Sequence, residues 1–150
     1  MLIKTHLAIT IFAILLFFQN VNNQIIFIIV ALVATFIPDI DSEFSIAGRK
    51  FGFLNVFMKH RGFIHSFTFL FLVLWLFILF FPIASLPFFL GYGLHLFADS
   101  FTIEGIKPFL PWNKNISWKI KTGGKTETIL FISFILLDLF VAIVKFTNFL

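Results

Sequence analysis

The sequence has no cysteine. Disulfides, thiolate nucleophiles and cysteine-held zinc are therefore excluded, and any metal site must use nitrogen and oxygen ligands. Charge is scarce too. Asp, Glu, Lys and Arg make up 12% of the 150 residues, where a soluble domain carries about 25%. Tyrosine occurs once and phenylalanine 26 times, so nearly all the aromatic surface lacks a polar handle. No His-Glu-x-x-His, Gly-x-Ser-x-Gly or phosphate-binding glycine loop occurs. Ser66 follows His65 directly, a spacing that cannot pair nucleophile and base on a helix, so Ser66 reads as a helix cap.

What is present is apolar. Hydrophobic residues make up 60% of the chain, and the mean hydropathy is +1.06. A core built from 150 residues cannot hide that much apolar surface from water, which excludes an ordinary soluble domain and a disordered chain. The reading is an all-α polytopic integral membrane protein, one domain over residues 1–150. The net charge of +4 then orients the chain in the membrane, and no nucleic-acid partner is expected.

Two uncharged runs set the spans. Residues 5–38 and 66–98 are 34 and 33 residues long. As single helices each would reach about 50 Å, against a hydrocarbon core of about 30 Å, so each must fold back. The first breaks at the polar tract 19–24 and the second between Pro82 and Pro87. Expected spans are 3–18, 25–37 (stopped by Pro38), 66–81, 84–101 and 128–144. The fourth should be irregular, because Pro87, Gly91 and Gly93 lie inside it. Some short spans should tilt or cross only in part, which leaves four to five transmembrane helices. A second span follows the first at once and no Ala-x-Ala-like site occurs, so a cleaved signal peptide is not expected.

Between spans two and three, Ile46, Phe51, Phe53, Leu54, Phe57 and Met58 alternate with Arg49, Lys50 and Lys59, the pattern of an interfacial amphipathic segment. Between spans four and five, Trp112 and Trp118 sit among five lysines, a boundary signature. With the N-terminus inside, 10 of the 11 basic residues fall on one side. This places the N-terminus and both long loops in the cytoplasm, in a cell inner or plasma membrane.

That topology also gathers polar residues. His6, Asp39, Asp41, His60, His65, His95 and Asp99 all fall at the cytoplasmic ends of four segments. Ionisable groups at membrane depth are costly unless paired or liganded, and His with carboxylate suits zinc, manganese or iron. His95 and Asp99 are four apart and share a helix face. His60 and His65 are five apart, so His60 belongs to the loop and His65 to the helix, with Gly62 relaxing the backbone. Asp39 and Asp41, after Pro38, point the same way if extended.

Plainer readings stand beside these. His6 alone fits an interfacial residue, Asp39 or Asp41 a cap, and His95 with Asp99 a hydrogen-bonded pair. Asp138 lies mid-span, away from the cluster, and reads as a packing or oligomer contact. Glu43, Glu104 and Glu127 read as solvated loop acids, Glu104 also as a general-base candidate.

These residues carry a family resemblance. Pro38-Asp39-Ile40-Asp41, then His60-Arg61-Gly62-Phe63-Ile64-His65-Ser66, then Gly91-Tyr92-x-x-His95-x-x-x-Asp99-x-x-Thr102-x-x-Gly105 resemble the YdjM family. Its members are described as LexA-regulated or membrane-bound metal-dependent hydrolases. The resemblance runs from His6 to about Pro111 and implies metal ligands at His6, Asp39, Asp41, His60, His65, His95 and Asp99. The chain departs from the pattern at Ser42, where some members carry histidine. A weaker similarity to zinc-dependent phospholipase C and P1-type nucleases favours phosphoester substrates.

The combined expectation is a divalent metal, zinc first and manganese or iron next, with membrane lipids as surroundings. The expected reaction is hydrolysis of a lipid or lipid-linked phosphoester at the cytoplasmic face. Asp39, Asp41, His65 and Arg61 would carry the catalysis, and Arg61 with Lys59 would hold the anion. The alternative is a non-catalytic metal carrier or membrane scaffold.

Overall fold

The computed structural model describes residues 1–47, 63–109, 111–112 and 114–147. His60, Arg61, Lys59 and most of the expected amphipathic segment lie outside the described residues, as does the side chain of Asp41. Five α-helices follow in order: α1 Ile3–Phe17, α2 Gln24–Ala47, α3 Phe67–Phe80, α4 Pro82–Ser100 and α5 Lys125–Thr147. No strand occurs among the described residues. The loop before α5 carries two isolated bridges, Thr102 with Ile120 and Ile106 with Ile116.

Each break has a local cause. After α1, a 3₁₀ turn (Phe18–Asn20) leads into the asparagine tract. The Asn23 side chain accepts from the Ile26 N–H at 3.3 Å and starts α2. Ser66 caps α3, accepting from the Phe69 N–H at 3.2 Å. Only Phe81 separates α3 from α4.

The prolines correct the expected boundaries. Pro82 takes the first position of α4, where a missing N–H costs nothing. Pro87 lies inside α4, which runs unbroken past Gly91 and Gly93. Pro38 does not stop α2 either; the helix continues to Ala47. Asp39 and Asp41 are therefore helical rather than extended.

α4 packs on α2, α3 and α1, and α1 also packs on α2 and α5. One core cluster joins Ala34, Leu70, Phe88, Tyr92, Leu96 and Ile106; a second joins Ile14, Phe27 and Ala31. Apart from Ile14, the buried face of α1 is small or polar, with Thr5, His6, Ala8, Thr10 and Ala13, while Ile11, Leu16 and Phe17 face outward. On α2, Ile25, Ile29, Val33 and Phe36 form an exposed apolar stripe. Small residues inside and large apolar ones outside suit a bilayer, not water. Two helical stretches, Ile3–Asn20 and Lys125–Lys145, are long and apolar enough to cross a membrane; Gln24–Asp39 and Phe67–Phe80 are shorter apolar helices.

Candidate metal centre

Close packing of α2 on α4 sets the register of the centre. A Cβ at Gly91 would lie 2.1 Å from the Ala31 carbonyl oxygen, so only glycine permits this approach. One turn further along each helix, Thr35 meets His95. The Thr35 carbonyl takes the Nδ1–H of His95 at 2.8 Å. The Pro38 carbonyl takes the Nδ1–H of His65 at 3.2 Å. A proline inside a helix removes one N–H and loosens the hydrogen-bond ladder. Here the carbonyls of Thr35 and of Pro38 itself bind histidine rings.

Those two bonds fix the tautomers. With Nδ1 protonated and donating, each ring turns its Nε2 lone pair inward, the arrangement of a metal-ligating histidine. Asp99 Oδ2 lies 3.0 Å from His65 Nε2 and 3.9 Å from His95 Nε2, and its Oδ1 lies 3.2 Å from His6 Nε2. Asp39 Oδ1 lies 3.5 Å from His95 Nε2. The rings of His6 and His95 stack at 3.8 Å.

Two groups have ligand atoms within 4.8 Å of one another: His6, Asp39 and His95, and His65, His95 and Asp99. Ligands bound at 2.0–2.1 Å around a tetrahedral ion stand about 3.3 Å apart, close to the spacings found. Among the described residues, the buried nitrogens of His6 and the Nε2 of His95 have no hydrogen-bond partner. Buried polar atoms without partners are costly, and a divalent ion would satisfy the inward-facing ones. The Met1 ammonium group ion-pairs with Asp99 Oδ1, placing a positive charge where the carboxylate requires one. His6, His65, His95 and Asp99 are buried, and the Asp39 side chain, 38% exposed, marks the open side.

The remaining motif residues support this geometry. The Tyr92 hydroxyl donates to the Ile64 carbonyl, beside His65. Thr102 ends α4 by donating to the Asp99 carbonyl at 2.7 Å, and its hydroxyl accepts from the Gly105 N–H at 3.1 Å. Gly105, at φ 64°, makes the turn that pairs Ile106 with Ile116.

A family model described as YdjM inner membrane protein matches residues 1–149. The chain belongs to the YdjM family. No curated protein and no solved structure matches it.

Of the seven ligands implied for this YdjM chain, the structure brings five together: His6 from α1, Asp39 from α2, His65 ahead of α3, and His95 and Asp99 from α4. Asp41 lies on α2. Glu104 is exposed on the loop after α4 and belongs to neither group.

Glu127 corrects the sequence reading. It is 1% exposed, not a solvated loop acid. At the third position of α5, its carboxylate accepts from the Leu2 N–H at 2.6 Å, the Thr5 hydroxyl at 3.0 Å and the Gly123 N–H at 2.5 Å. It thus ties the start of α1 to the start of α5 beside the centre. The signal for it was an acid three residues into a helix, reaching back as in a capping box.

Asp138 lies about 16 Å further along α5, 8% exposed, with neither carboxylate oxygen hydrogen-bonded among the described residues. Asp138→Asn should leave the metal content of purified protein unchanged. Loss of metal in that variant, read by elemental analysis, would show that Asp138 acts on the centre.

Proposed function

We propose that this YdjM protein is a metal-dependent hydrolase of a lipid or lipid-linked phosphoester at the cytoplasmic face of the membrane. One observation carries the reading: the inward-facing Nε2 atoms of His6 and His95 lack hydrogen bonds among the described residues, yet lie against the carboxylates of Asp99 and Asp39. Such a donor set suits zinc first, with manganese or iron as alternatives. A bound dication lowers the pKa of a coordinated water and neutralises phosphoryl oxygens.

The chain's own residues do the rest. His65 and His95 are held in one tautomer by the Pro38 and Thr35 carbonyls. Asp99 supplies the compensating charge, and the open side at Asp39 admits the substrate. Asp41 and His60 complete the set implied by the resemblance, and Arg61 with Lys59 holds the anion.

A count of four or five spans is part of this reading. α4, of 19 residues, covers about 28 Å, whereas α3, of 14 residues, covers about 21 Å and would cross only where the bilayer thins locally. A reporter fused after Lys121 should then behave as cytoplasmic, and one inserted at Asn22 as external. The reverse pattern would move the centre to the other face.

The function is tested by metal analysis of detergent-purified protein beside a screen of phosphoesters. Retained metal and chelator-sensitive hydrolysis are expected. Metal without turnover, accompanied by metal uptake into vesicles, would favour a carrier instead.

A further inference from the structure

α4 and α5 both lean on α1, but among the described residues they do not form a packed helix pair of their own. The gap between them is a cavity of about 470 Å³, within the range of about 300–1,000 Å³ typical of ligand sites. Every residue lining it is apolar. Ala13 and Leu16 come from α1, Leu94 and Phe97 from α4, and Leu130 and Phe134 from α5. One end reaches Met1 and Ala98. Met1 ion-pairs with Asp99, and Ala98 precedes it in the chain, so this end of the cavity lies beside the centre, with Met1 between them. Along α4 the cavity runs about 12 Å, from Ala98 to Leu90, and along α1 it is lined from Ile9 to Phe17, again about 12 Å.

The lining decides what fits. An extended peptide would bury backbone N–H and C=O groups with nothing to bond them. A hydrocarbon chain has no polar group to satisfy and needs only a narrow apolar channel.

We propose that this groove holds one hydrocarbon chain of a phosphoester lipid whose headgroup lies at the His–Asp centre. The assignment rests on the hydrolase reading for the headgroup's fate, but not for its binding. It makes the substrate a lipid that stays in the membrane, with its chain seated between α4 and α5 and its phosphoester delivered to Asp99, His6 and His95.

The test uses full-length protein in detergent and a single-chain lysophosphatidate carrying a photoreactive diazirine midway along its acyl chain. Mass spectrometry of the cross-linked protein should place the label on residues 13–17, 90–97 and 130–134. Ala13→Trp, and separately Leu94→Trp, should fill the groove and lower that labelling by about tenfold or more. Retained metal in each variant shows that the centre is intact.

Labelling spread over outward-facing residues such as Trp75 and Phe80, and insensitive to both variants, would overturn the proposal. Equal groove labelling by the same chain without its phosphate would overturn the headgroup assignment. Hydrolysis of a water-soluble phosphoester separates this proposal from the hydrolase reading. If the groove is labelled but no phosphoester is cleaved, the hydrolase fails and the lipid site stands. If the soluble ester is cleaved and the groove is not labelled, the reverse holds.

Discussion

Asp99→Ala is expected to strip protein of nearly all its metal, with affinity falling by more than the roughly 10–100-fold seen when a residue behind a ligand is lost. Asp99 makes the most contacts in the centre. It faces His6 and His65 at 3.2 and 3.0 Å and His95 at 3.9 Å, and it pairs with the Met1 ammonium group. Its removal deletes a ligand and the charge that balances a dication. His95→Ala should behave similarly, since it empties a place shared by both ligand groups. Membrane insertion should survive, because alanine at either position makes α4 more apolar. The measurement is metal per chain after detergent purification, with Lys114→Ala, an exposed loop residue, as the control. If the Asp99 and His95 variants retain wild-type metal, the pair is structural and the hydrolase reading loses its support.

Gly91→Ala should be nearly as damaging although it removes nothing. The new Cβ would stand 2.1 Å from the Ala31 carbonyl oxygen and 3.1 Å from the Ala34 Cβ, so α2 and α4 must separate. Overpacking of this kind costs about 1–3 kcal/mol. The separation also lengthens the Thr35–His95 bond one turn away, which should lower metal affinity by at least about tenfold. Gly93→Ala is the matched control. Its Cβ would meet Leu70 at an ordinary 3.6 Å, and alanine is the better helix former by about 1 kcal/mol. Thermal unfolding should therefore show Gly91→Ala destabilised and Gly93→Ala unchanged or stabilised. Equal behaviour of the two would mean that helix propensity, not contact, governs this face.

The convergence of His6, Asp39, His65, His95 and Asp99 was legible because charge scarcity fixes where helices can end, and the ends of four segments held the histidines and acids. The Pro38 boundary was not legible. A proline breaks a helix by local rules, and only tertiary contact supplies the histidine rings that bind the Thr35 and Pro38 carbonyls. The same holds for Pro87, carried inside a helix buried against three neighbours. Glu127 was misread because its partners, Leu2 and Thr5, lie at the far end of the sequence. Gly91 drew notice only as a helix breaker, since nothing in one sequence shows that a carbonyl of another helix would press against it.

The Glu127 tie also sets a timetable. Thr5 and Glu127 are separated by 122 residues. At a synthesis rate of about 5–20 residues per second, α1 waits some 6 to 24 s for the acid that anchors it. His6 waits almost as long for Asp99. During that interval the most polar face of the first helix, Thr5, His6 and Thr10, has none of its late-made partners. Biogenesis must therefore keep α1 out of bulk lipid, beside the insertion machinery or against α2, where Thr10 can bond Thr35 early. The tie at Glu127 closes only when the last helix has begun to emerge.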